Sequence, residues 1–169
     1  MTPQTFIAAM SLASIAFTSG CASSMSAPAS TAPATATPSS PDGLMTLVSP
    51  RNAKETMDRL EASVKEKGFA VVARVDHAAA AARVGKTLRP TELLIFGNPA
   101  GGTLLMECAQ TAGIDLPLKA LVWSDAFGKV MLSYNDPTYI TKRHNATACA
   151  AAIGMSNAIG AIMQAVVTP

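Results

Sequence analysis

Apolar residues recur along this chain at two spacings, and the switches between them mark out alternating strands and helices. Leu44 to Val48 reads as a first strand, with Ser49-Pro50 as helix cap and first-turn proline. Ala53, Met57, Leu60 and Val64 then fall on one helical face. Glu55 with Arg59, and Glu61 with Lys65, are spaced to pair on the wet side, and Gly68 closes the helix. Phe69 to Val75 is apolar on both faces, which predicts an interior strand. Asp76 caps an Ala-rich helix from His77 to Val84 that stops at Gly85. Leu93-Leu94-Ile95-Phe96 is a second buried strand, and Gly97-Asn98-Pro99 turns the chain into a helix ending near Gly113. Strands Pro117–Trp123 and Lys129–Tyr134 are joined by the Asp125–Gly128 hairpin connection, and Asn135-Asp136-Pro137 opens a short helix through His144. The order β-α-β-α-β-α-β-β-α-α predicts an α+β fold, with about five strands in a mixed or antiparallel sheet and helices packed on one side.

The last segment, 145–169, predicts an apolar C-terminal helix. Ala152, Met155, Ile159, Ile162 and Val166 form its seam. Lys142-Arg143 would suit a membrane flank, but Ser156, Asn157, Gln164 and many alanines favour docking on the domain, or pairing with a second copy, over spanning a bilayer.

A different pattern governs the start of the chain. The apolar run Phe6 to Phe17, followed by Thr18-Ser19-Gly20-Cys21, has the form of a secretory signal (1–20) ending in a bacterial lipobox. Cleavage would leave Cys21 as an acylated N-terminus, held by the lipid bilayer through burial of its acyl methylenes. Ala22 after the cysteine suggests outer-membrane sorting, by similarity to Gram-negative lipoproteins. Met1 to Thr5 lacks Lys and Arg, and Thr18 stands where Leu is usual, so a soluble periplasmic protein is the alternative. Residues 21–43 are dominated by Ala, Ser, Thr and Pro, too polar to bury themselves, and form a tether stiffened by Pro28, Pro33, Pro38 and Pro41. The α+β domain is assigned to 44–144.

Every charged side chain lies between Asp42 and Arg143. The net charge of +2 gives no nucleic-acid footprint. With Cys21 assigned to the lipobox, Cys108 and Cys149 remain, as a disulfide in an oxidising compartment or as two buried thiols. The sequence has no CxxC, no GxSxG and no zinc-type histidine spacing around His77 and His144. No metal or cofactor is expected.

Strand ends and helix starts offer polar groups without loss of core packing. Gly97-Asn98-Pro99 and Tyr134-Asn135-Asp136-Pro137 are both of this kind, each with a structural explanation as a cap followed by proline. They are expected near one another at one end of the sheet, with His144 on the far side of a shared pocket. A ligand would then contact Asn98, Tyr134, Asn135 and His144, with Asp136 occupied as a cap.

From Leu44 to His144 the chain resembles the domain of unknown function 302 family. The matching stretches are Lys67-Gly68-Phe69, Asp76-His77-Ala78, Leu93 through Pro99, Asp115-Leu116-Pro117-Leu118 and Ser133 through Pro137. Gly101-Gly102 stands where a better helix former is expected. The resemblance implies an α+β fold and is compatible with a homodimer, but it names no reaction. The leading expectation is an envelope-anchored, non-enzymatic domain that binds a small ligand or a partner. The alternative is an envelope enzyme working through Tyr134, Asn135, Asp136 and His144. A third reading makes dimerisation itself the function.

Overall fold

A computed structural model describes residues 42–169. The expected signal, Cys21 and the tether as far as Pro41 lie outside the described residues. Strand β1 (Leu44–Ser49) leads into helix α1 (Ala53–Glu66). Asn52, not Ser49, caps α1, its side chain accepting the Glu55 N–H at 2.8 Å. Ser49 is instead buried, its hydroxyl 2.7 Å from that of Thr56. Met57, Leu60 and Val64 are fully buried, as the helical spacing predicts. Of the two expected ion pairs, Glu61–Lys65 forms. Glu55 turns back to Arg51 at 3.3 Å, and Arg59 donates to the Ala165 carbonyl.

The chain continues through β2 (Ala70–Asp76), α2 (His77–Arg83), β3 (Thr91–Gly97) and α3 (Pro99–Cys108). A single 3-10 turn, Gln110–Ile114, replaces the end of the expected longer helix. The Leu116–Pro117 peptide bond is cis. Strands β4 (Leu118–Ser124) and β5 (Val130–Asn135) form the hairpin, with Asp125 Oδ1 accepting the N–H groups of Phe127 and Lys129. Helices α4 (Pro137–Arg143) and α5 (Ala150–Val167) complete the fold.

The five strands form one sheet in the order β1-β5-β4-β3-β2, antiparallel at every pairing. This corrects the expected interior position of the Phe69–Val75 segment. Strand β2 is an edge, and none of its side chains is fully buried. Its apolar residues serve two faces of an edge, which mimics the pattern of an enclosed strand. The ladder is also broken by a bulge between Val71 and Ala73.

One face of the sheet carries the core. Leu47, Leu94, Phe96, Val122 and Leu132 point to it, against Met57, Leu60 and Val64 of α1. Helix α5 closes the same core with Ile159, Ile162, Met163, Val166 and Val167. By length and composition α5 is apolar enough to cross a membrane. Here it docks on its own domain, and each fully buried side chain of this size contributes about 1.5–3 kcal/mol. Arg51 donates to the carbonyls of Val166 and Thr168, satisfying the end of α5.

Candidate functional site

A groove of about 400 Å³ opens where the end of β3 passes into α3. Phe69, Met106, Leu116, Pro117 and Met155 form most of its wall. Asn98 and Thr103 are its only polar side chains. A second hollow of about 380 Å³ shares Phe69, Asn98 and Met155 with the first, and adds Leu104, Gly154 and Ala158. The two adjoin along one line of side chains and make a continuous, mainly apolar trough between α3 and α5.

Glycines set its width. A Cβ at Gly97 would stand 3.3 Å from Pro117 Cβ, and one at Gly113 would stand 3.2 Å from Met106 Sδ. Gly102 approaches Leu116, where an added Cβ would lie 3.7 Å from Cδ1. Gly101 and Gly102, unfavourable as helix formers, are therefore the residues that let Met155 and Leu116 reach α3.

Asn98 lines both hollows, as the strand-end argument anticipates. Its side chain accepts the Ala100 N–H at 3.0 Å, so it works as the α3 cap. The structure does not bring the other three candidates to it. Strands β3 and β5 run in the same direction, each antiparallel to β4, so Asn98 and Tyr134 do share one end of the sheet. Tyr134, however, is buried on the core face, with its hydroxyl 3.6 Å from where a Gly160 Cβ would be. Burial, followed by the charge of Asp136, raises its pKa above 10.0. Asn135 follows on the opposite side of the strand and is exposed. Asp136 caps α4, accepting from the Thr138 N–H at 2.9 Å.

His144 ends α4 and turns to a different cluster. Its Nε2 lies 2.8 Å from Asp115 Oδ2 and its Nδ1 lies 2.9 Å from Thr111 Oγ1. Arg143 reaches the other Asp115 oxygen at 2.7 Å. Next to this cluster the structure joins Cys108 to Cys149, with their Cα atoms 5.8 Å apart. The bond and the His144–Asp115 contact together fasten the 109–115 loop to the link between α4 and α5. Leu116 and Pro117, which follow that loop, thereby take their place in the groove wall.

A third, more open hollow of about 630 Å³ lies by Arg74, Thr91 and Glu92. Its charges are engaged with each other: Arg74 bonds Glu92 across the β2–β3 ladder and reaches Asp58 and Glu61 of α1 at 2.7 and 3.3 Å. Among the described residues, no group of three or more His, Cys, Asp or Glu side chains is placed to hold a metal ion. Thr103, Met106 and Leu116 were not anticipated as lining residues. The only sequence signal for Leu116 is the Asp115-Leu116-Pro117 stretch.

Comparison with known proteins adds the family. The chain is 48% identical over 103 residues to "Fluoride-specific ion channel FluC 1" of Brucella suis biovar 1, covering 61% of this chain and 41% of that protein. It is equally similar to the protein of the same name from Brucella abortus biovar 1, covering 38% of it. The chain thus spans about two-fifths of the curated relatives it matches. The crystal structure of an uncharacterized conserved protein from Bacillus stearothermophilus superposes with a TM-score of 0.68 at 22% identity, over 75% of this chain and 98% of that one. That likeness is one of fold. Residues 45–166 match the family described as "Domain of unknown function DUF302", a range that takes in α5 as well as the segment where the resemblance was read. The chain belongs to that family.

Proposed function

We propose that this chain is an envelope lipoprotein whose domain binds a small, predominantly apolar molecule in the trough between α3 and α5. The observation that carries the reading is the groove of about 400 Å³ with Asn98 and Thr103 as its only polar side chains. Small-molecule sites combine apolar walls with a few placed polar groups in this way. The groove wall holds no titratable side chain, which favours binding over acid–base catalysis. Lipidation of Cys21 and an outer-membrane address rest on Ser19-Gly20-Cys21-Ala22. The fluoride-channel name belongs to proteins of which this chain spans about two-fifths. A small hard anion needs converging donors or cations, and an apolar trough supplies neither.

The alternative, an enzyme, retains one supporting observation: the hydrogen-bonded His144, Asp115 and Thr111. Tyr134, Asn135 and Asp136 do not join them. The deciding experiment is mass spectrometry of the full chain purified gently from its native envelope. The expected result is a co-purified molecule with an apolar body, recovered with the unaltered chain and lost with Met106→Glu. Recovery of nothing, or equal recovery with the variant, would overturn the binding reading. The same spectra test lipidation through the mass of the N-terminal fragment.

A further inference from the structure

The face of the sheet turned away from α1 and α5 is apolar and flat. Ladder partners point to the same side of a sheet, so its composition can be read row by row. Thr46, Ser133, Leu121, Leu93 and Val75 form the central row. Val48, Met131, Trp123 and Thr91 form the next. Beyond the central row on the other side stand Leu44 with Asn135, and Ile95 with Ala73 and Lys119. Val48 and Leu44 are 41% and 44% exposed, and Leu93, Ile95, Leu121, Trp123 and Met131 are half-buried. Lys119 is the one charged side chain at these strand positions, and its Nζ is spent on the carbonyls of Asp115 and Pro117.

The polar groups of this face are satisfied within it. Trp123 Nε1 donates to Ser133 Oγ at 2.9 Å, and Ser133 Oγ lies 2.9 Å from Thr46 Oγ1. Such a network can be covered without leaving an orphaned donor.

We propose that this face is the surface on which a second copy of the chain docks, sheet against sheet about a two-fold axis. Leu121, at the middle of the middle strand, would lie near the axis, with Trp123 as the anchoring aromatic. The page gives three reasons to choose this occupant. The face is neutral, so two copies meet without repulsion, and an anionic lipid surface finds no basic rim. None of the hollows described above opens at its centre, so it suits a flat partner rather than a small molecule. Its size is adequate: five strands about 4.8 Å apart and six residues at about 3.4 Å give about 480 Å² in plan. A pair therefore covers about 1,000 Å² before side-chain relief, the lower bound for a specific interface. This locates pairing on the sheet rather than on α5, whose apolar seam is used in the core.

The test is photocrosslinking in intact cells, with a benzophenone amino acid in place of Leu121 of the full-length chain. The same probe at Lys54, on the helical side, serves as control. The expected result is a product of twice the chain mass from position 121 alone, with crosslinked peptides that all derive from this chain. With the probe moved to Leu93, adding Leu121→Lys should reduce that product at least tenfold without changing the thermal midpoint of monomer unfolding. Crosslinks to another protein, crosslinks to lipid, no product, or a product that survives Leu121→Lys would each overturn the proposal. The unaltered face is probed first, so a misfolded variant cannot rescue or sink it.

Discussion

Gly101 meets Met155 across the α3–α5 contact so closely that a Cβ at 101 would stand 2.8 Å from the Met155 methyl. That methyl is the far end of a flexible side chain, so it can move, and it can only move into the trough it lines. Gly101→Ala should therefore leave stability within about 1 kcal/mol of the unaltered chain, since Ala gains that much in helix propensity. Binding of an apolar fluorescent dye in the trough should weaken several-fold. Adding Met155→Ala should restore dye affinity; failure to do so would show that Met155 does not gate the groove.

Gly43 has φ +76 and sits where an added Cβ would overlap the Tyr139 ring. Gly128 has φ +79 with nothing within 4 Å of an added Cβ. Gly128→Ala should cost only the left-handed backbone term, about 1–2 kcal/mol. Gly43→Ala should cost a further 1–3 kcal/mol or so from overpacking. Chemical denaturation of both variants measures the difference directly, and equal losses would place Tyr139 elsewhere.

Phe96 is 1% exposed and meets Phe69 edge-on, with ring centroids 5.7 Å apart. Phe96→Ala should destabilise the domain by about 3–5 kcal/mol, while exposed Lys129→Ala should leave the midpoint unchanged. Thermal unfolding of the two variants checks this.

The Cys108–Cys149 bond spans 41 residues. In the chain-entropy account a loop of that size is worth about 4 kcal/mol. Unfolding the unreduced exported chain in the presence of a thiol reagent should label neither cysteine. Replacing both by Ala should lower the unfolding free energy by roughly that amount.

The pH dependence follows from the sign of each shift. Hydrogen bonds from Lys54 and then Arg74 hold Asp58 below its ordinary 3.8, and Lys65 and Arg74 hold Glu61 below its ordinary 4.5. Their stabilising contribution is present in full above those ordinary values and is lost as pH falls through the depressed ones. Both groups are exposed and screened, so the acid decline should be shallow, and Arg74→Met should flatten it. Tyr134 works at the other end: its raised pKa contributes in full below 10.0 and is lost as pH rises through the folded value. Tyr134→Phe should remove that alkaline loss in a denaturation series.

The regular parts of the fold were legible because their periods are local. Met57, Leu60 and Val64 announce α1, Leu94 and Phe96 announce β3, and the seam of α5 announces its buried side. Strand order is not local. The Ala70–Asp76 segment reads as enclosed because its two apolar faces meet different surroundings, and only the ladder shows it to be an edge. Caps were ambiguous where several candidates stood together: Ser49 and Asn52 are three residues apart, and packing against Thr56 removed Ser49 from the choice. The site was least legible. Asn98 could be named from strand-end chemistry alone, but the trough draws on segments from Phe69 to Met155. The partners of His144 lie 29 and 33 residues away in the sequence. Distances of that kind are set by tertiary packing and leave no trace in spacing.

The bulge on β2 has a consequence for solubility. A strand from another molecule laid along this edge would meet a row of donors and acceptors interrupted at Val72, next to the charged Arg74. Regular hydrogen bonding fails there, and sheet extension into a stacked fibre stops on that side. An apolar sheet face on a chain concentrated at a membrane is an aggregation hazard. The interrupted edge confines the hazard, because copies that meet through their faces close upon themselves as pairs and have no regular β2 edge from which to grow.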